Sequence, residues 1–195
     1  SATGRANALW ALARIGMLSE DVEAAAAGDG EALVRTHLAR AYGILVTLSE
    51  TQQQRLLAML GDLHHQVRRA AAETMRRHRS PHFIAPLMHG ISAIHADDTH
   101  LAHTLRIALA AHFADGENVA LLSQVRIPKE SWGEIVKMVI ATNHPEGVPF
   151  LLDALKQQKT TAAQLKPAVK YLASHTDVSR VSVLRDLLAG ASLDE

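Results

Sequence analysis

The chain contains no cysteine among its 195 residues. Disulfides, thiolate metal sites, cysteine nucleophiles and a covalently attached c-type haem are therefore excluded within it. Aromatic residues make up only 4%, and the β-branched and aromatic residues that fill strands are outnumbered by Ala and Leu, both strong helix formers. No excess of one charge exists. Twenty basic residues meet twenty acidic ones, which argues against a protein whose main task is gripping polyanions. No apolar run approaches the ~18 residues of a membrane span, so no span is expected. The opening "SATGRANALWALARIG" lacks a basic segment followed by an apolar one. Helical spacing starts almost at once, at Ala6-Leu9-Ala13, and reads as a piece of a longer protein. Lysine is missing from the first two thirds: all six lie at Lys129 or later, whereas ten of the twelve histidines lie at His112 or earlier. The expectation is a single domain over 1–195 with two subregions, 1–127 and 128–195.

What is present is helical periodicity, with regular punctuation and no strand-like alternation. Ser19 precedes "EDVEAAAA", which ends at Gly28. Ser49 opens "ETQQQRLLAML" with Gln52 three residues on, the spacing of a capping box, and Gly61 follows. Asp29 and Asp62 stand before the next two helices as caps. Ser80-Pro81 places a proline at a first helical position, and Pro128 and Pro145 sit at similar starts. Asp97-Asp98 opens "THLAHTLRIALAAHF", and Thr176-Asp177 opens "VSRVSVLRDLLAG". The pattern predicts about twelve helices joined by short turns, with Pro167 kinking or restarting the helix that holds it.

An internal repeat runs through the first part. "GDGEALVR" at 28–35 and "GDLHHQVR" at 61–68 share Gly, Asp, Val and Arg at a spacing of 33, and the helices that follow keep the register. A turn, an Asp, a Val-Arg pair and a small-residue helix resemble the HEAT and armadillo-like repeats. The resemblance implies an all-α, right-handed superhelix of about six antiparallel helix pairs, each completing its neighbour's core. It also implies that the Val packs between paired helices and that Asp29, Arg35, Asp62 and Arg68 form a ladder between neighbouring repeats. A second resemblance rests on "RANALWALARIGML", "DDTHLAHTLRIALAAHF" and "PEGVPFLLDALK…LKPAVKYLASH". These are similar to the helical middle segment of large bacterial proteins that join a propeller resembling sugar dehydrogenases to a c-type haem domain. Such proteins are typically exported, which implies a periplasmic or secreted location. The haem motif is absent here, so redox activity does not carry over.

Three sets of residues invite a chemical reading. His64 and His65 are adjacent and point about 100° apart on a helix, too far to share an ion. His100 and His103 share a face, with Asp97 one turn earlier, but a complete ligand set is wanting; no metal or other cofactor is expected. Arg76, Arg77 and Arg79, with His82 close behind, form a short basic end. Glu73 is spaced to pair with Arg69 and Arg77. That end is the expected binding site, for a protein partner or a neighbouring domain of the parent chain. The alternative is a phosphate backbone, which arginine suits but which needs several contacts that the neighbouring repeats do not continue. No GxSxG elbow, phosphate loop, paired-carboxylate motif or HExxH is present, so no catalytic residue is assigned. The expectation is a non-catalytic interaction or scaffold domain.

Overall fold

A computed structural model describes residues 1–94 and 98–175. Eleven α-helices occur among them, with no strand. They are α1 (Ala2–Arg14), α2 (Glu20–Ala27), α3 (Ala32–Tyr42), α4 (Glu50–Leu60), α5 (His65–Arg77), α6 (Ile84–Ser92), α7 (Thr99–Phe113), α8 (Gly116–Ala120), α9 (Trp132–Thr142), α10 (Val148–Lys156) and α11 (Ala162–His175). None of the described helices is long and apolar enough to cross a membrane. The helix expected after Thr176-Asp177 lies outside the described residues, as does Asp97. The chain divides into two compact units, Ser1–Ala111 and His112–Glu195. The division falls inside α7; the lysine-bearing stretch begins later, within the second unit.

The helix starts follow local chemistry, with instructive exceptions. Ser49 and Gln52 form both bonds of a capping box, at 3.2 and 2.9 Å. Ser19 takes the cap position without a side-chain bond. Ser80 also caps only with its backbone, because its hydroxyl donates instead to Gln53 Oε1 at 2.9 Å. Asp29 and Asp62 are not the caps of α3 and α5. Those positions belong to Glu31 and His64. Each Asp stands two residues earlier and accepts the cap residue's N–H, at 2.9 Å from Glu31 and 2.8 Å from His64. The same turn thus forms twice, 33 residues apart, from the same Gly-Asp pair. Asp98 caps α7 by accepting from Leu101 N at 3.0 Å. α11 runs through Pro167 without restarting; one backbone bond is lost there, and the turns on either side hold.

In the first unit, α3 packs along α1 on one side and α5 on the other, while α2 packs on α3 and α4 on α5. Each helix buries one stripe: Ala6, Leu9 and Ala13 on α1, Val34, Leu38, Ala41 and Tyr42 on α3, and Val67, Ala70, Ala71, Thr74 and Met75 on α5. Small residues let α3 and α5 approach closely. At that contact Thr74 Oγ1 donates to Ala39 O at 2.7 Å. A Cβ added at Gly43 would sit 3.1 Å from Thr74 Oγ1 and 3.1 Å from Arg40 O.

In the second unit α9, α10 and α11 pack on one another. Trp132, the first residue of α9, stacks on Phe150 of α10 with ring centroids 5.5 Å apart and planes 6° from parallel. Asn143 ends α9 in the left-handed conformation, φ 57°. Its carbonyl lies 3.0 Å from His175 Nε2, and His144 Nε2 lies 3.1 Å from Ala114 O. Both histidines thus hold turn carbonyls. Gly147 is buried where the Tyr171 hydroxyl donates to His144 O, and a Cβ there would fall 2.6 Å from Val139 Cγ1. Gly147→Ala is therefore expected to destabilise this unit by about 1–3 kcal/mol through overpacking. A thermal melt with an unchanged midpoint would contradict the close approach.

Candidate interaction surface

The residues of the repeated turn form a chain of ion pairs between successive helices. Arg5 on α1 holds Asp29 with two bonds, Nε at 2.6 Å and NH2 at 2.9 Å. Arg35 on α3 holds Asp62 in the same two-pronged way, at 2.7 and 3.0 Å. Arg68 on α5 reaches Asp98 at 3.7 Å. Each later arginine also donates backwards, Arg35 to Asp29 O and Arg68 to Asp62 O, both at 2.7 Å. The planar guanidinium suits this double task, since it donates in two directions at once. The central pair is the most enclosed: Arg35 and Asp62 side chains are 15% and 12% exposed, against 51% for Arg5. Arg5 was not singled out from the sequence, and Asp98 was read only as part of a helix start. Arg5 has no repeated motif around it, and Asp98 follows a repeat whose Val-Arg pair is lost.

These contacts also order the carboxyl pKa values. Arg35 beside Asp62 lowers its pKa, as does the His64 N–H. Arg5 does the same for Asp29, helped by the Glu31 N–H.

The basic end of α5 separates into two groups. Arg77 NH1 donates to Gly43 O at 3.2 Å, and His78 Nε2 lies 3.0 Å from Tyr42 O. Both hold carbonyls at the C-terminal end of α3, where Tyr42 O also accepts the Leu45 N–H at 3.1 Å. Arg76, Arg79 and His82 remain exposed. Glu73 forms no ion pair with Arg69 or Arg77 among the described residues; Arg77 has turned to α3 instead. The end that read as one cluster is thus part helix cap and part open surface.

Two polar sites were not legible in the sequence. Glu23 on α2 is buried, 3% exposed, and accepts from Gln52 Nε2 at 2.6 Å, Arg55 NH1 at 2.6 Å and Tyr42 Oη at 3.1 Å. Burial and the Glu23 carboxylate push the Tyr42 phenol well above its usual range, so it stays a donor. The signal available was spacing: Glu23 stands three residues before buried Ala26 on the inward stripe of α2.

The second site joins α1 to α3. Trp10 Nε1 donates to His37 Nδ1 at 2.6 Å, with the rings edge to face. Indole nitrogen is only a donor, so His37 Nδ1 must carry no proton. Burial, and then the charge of Arg40, lowers the His37 pKa. A depressed histidine makes the unfolded chain bind the proton first. Its stabilising effect is whole above the unfolded value of about 6.5 and declines as pH falls toward the folded one. We expect the urea midpoint to drop between pH 7.5 and 5.5, and His37→Gln, which keeps an acceptor, to lessen that drop. An equal drop in both proteins would refute the assignment. The Asp29 and Asp62 carboxyls add a separate loss at lower pH, beginning as pH falls through about 3.9.

His100 and His103 are both exposed on α7, and Asp97 lies outside the described residues. Among the described residues no three His, Asp or Glu side chains are placed to hold a metal ion. An open groove of about 530 Å³ in the second unit is lined by Arg126, Lys129, Trp132, Phe150, Asp153 and Lys159. In the first unit a depression of about 360 Å³ surrounds Arg68 and Asp98. Set against known proteins, the chain matches no family model and no curated protein.

Proposed function

We propose that this chain is a HEAT/armadillo-like solenoid, a right-handed superhelix of helix pairs, acting as a non-catalytic scaffold that binds another protein or a neighbouring domain. The chain of Arg-Asp pairs carries the reading. Arg5–Asp29, Arg35–Asp62 and Arg68–Asp98 link one helix pair to the next at a nearly constant interval. Such regular links support a stack in which each pair contacts its neighbours and the surface of one helix layer remains open for binding. The order of packing in the first unit, α1 on α3 on α5, is of the same kind.

A stack and a single closed core respond differently to truncation. Removing residues 1–28, the first helix pair, is expected to lower the melting temperature while leaving a cooperative helical transition. Loss of all cooperative unfolding would reject the stack. The placement in a longer, exported bacterial protein rests on the resemblance alone. The complete open reading frame tests it: a propeller on one side and a CxxCH haem motif on the other are expected, and their absence would withdraw that placement.

A further inference from the structure

The zero net charge conceals a sharp separation by helix layer. α1, α3 and α5 together carry eight arginines and a single acid, Glu73. α2 carries Glu20, Asp21 and Glu23 with no base, and α4 carries Glu50 and Arg55. Three of the eight arginines, Arg5, Arg35 and Arg68, are matched by the Asp residues of the turns. Arg77 holds Gly43 O, which leaves its charge unmatched. Arg14, Arg40, Arg69 and Arg76 form no ion pair or side-chain hydrogen bond among the described residues.

Arg14, Arg40, Arg69 and Arg76 each lie on the outward stripe of their own helix. On α3 the outward stripe is Leu33, His37 and Arg40; on α5 it is Gln66, Arg69, Glu73 and Arg76; on α1 it is Asn7, Trp10 and Arg14. The spacings are those of one helical face. The opposite faces of α3 and α5 are covered by α2 and α4. The Trp10–His37 bond joins the α1 stripe to the α3 stripe edge to edge. Arg14, Arg40, Arg76 and Arg77 stand near helix C-termini, where each helix end contributes about half a negative charge. Three such ends offset only part of the excess.

We infer that the outward face of α1, α3 and α5 binds an acidic polypeptide segment. This rests on the scaffold reading and names its partner by chemistry. Packed helices stand about 10 Å apart, so the three stripes span about 20 Å, the length of about six extended residues. Arginine forks pair with carboxylates two bonds at a time. Glu73 stands between Arg69 and Arg76 on α5, where it repels phosphate and carboxylate alike and offers an acceptor for a peptide N–H. Half-buried Trp10 and partly exposed Leu33 offer apolar contacts to side chains.

The test uses a fluorescent octaglutamate peptide and a labelled DNA duplex, each titrated with the whole chain at low salt. The peptide is expected to bind, and Arg40→Glu/Arg69→Glu/Arg76→Glu to weaken it by about tenfold or more. Lys137→Glu/Lys156→Glu/Lys170→Glu, in the second unit, makes the same change in net charge while leaving the three stripes intact, and is expected to weaken binding far less than the arginine reversal does. The milder Arg40→Gln/Arg69→Gln/Arg76→Gln stands in if the charge reversal fails to fold. Peptide addition is also expected to shift the NMR signals of His37 and the Trp10 indole N–H. No peptide binding, equal loss in both triple variants, or tighter binding of the duplex than of the peptide would overturn the inference. The truncation experiment judges the stack independently of any of these outcomes.

Discussion

Glu23→Ala is expected to lower the unfolding free energy by about 3–5 kcal/mol, the cost of breaking a buried charge pair from one side. The reason lies in what is left behind. The Glu23 carboxylate satisfies Arg55, Gln52 and Tyr42 at once. Arg55 is 16% exposed at its side chain and retains only a longer contact, 3.5 Å, with Glu20. Removing the carboxylate strands a guanidinium, an amide and a phenol inside the contact of α2, α3 and α4. Glu23→Gln keeps the shape and one acceptor, and should cost less, about 1–3 kcal/mol. A double variant, Glu23→Leu/Arg55→Leu, removes both charges and is expected to recover much of the loss, because an apolar pair avoids the desolvation cost. Chemical denaturation of the three variants measures the order. If Glu23→Ala and Glu23→Gln lose the same amount, the stranded charge is not the cause.

Arg35→Ala should lower stability by about 2–4 kcal/mol, the second largest expected effect. This arginine makes two bonds to Asp62 and one to Asp29 O while its side chain is mostly enclosed. The estimate lies above the value of an exposed pair because Asp62 would lose its counter-charge in a partly desolvated turn. Arg68→Ala should cost less, since its pair with Asp98 is longer and its side chain more open, 28%. Arg5→Ala should cost least of the three, because Arg5 is half in solvent. Arg76→Ala/Arg79→Ala should leave stability unchanged, as both side chains are exposed. Measured by urea midpoints, a loss in that pair equal to the loss in Arg35→Ala would erase the distinction between the linking arginines and the open ones.

The opening of α4 shows how much a local pattern can carry. Ser49 and Gln52 need only each other and the backbone between them, so the capping box was legible from two letters. The repeated Gly-Asp turn was legible as a repeat, though not in its geometry. The aspartates were expected at the caps and stand two residues ahead of them, because Asp62 must accept the His64 N–H and also meet Arg35 from 27 residues away. Of the kink or restart expected at Pro167, α11 shows no restart: it continues through the proline from Ala162 to His175.

Helical periodicity, the absence of strand patterns and the placing of Gly, Pro and Ser were enough to determine an all-α chain and roughly where its helices begin and end, because those preferences act over a few residues. Charge balance is a sum over the whole chain. Twenty bases against twenty acids says nothing of which helices carry them, and only packing set an arginine-rich layer apart from an acidic one. Packing alone likewise divided the basic end of α5, spending Arg77 and His78 on the α3 carbonyls and leaving Arg76, Arg79 and His82 to solvent. Glu23 reads in the sequence as an ordinary first-turn acid. Its three donors arrive from 19 to 32 residues away, and a contact made by such distant parts of the chain exists only once the helices have packed.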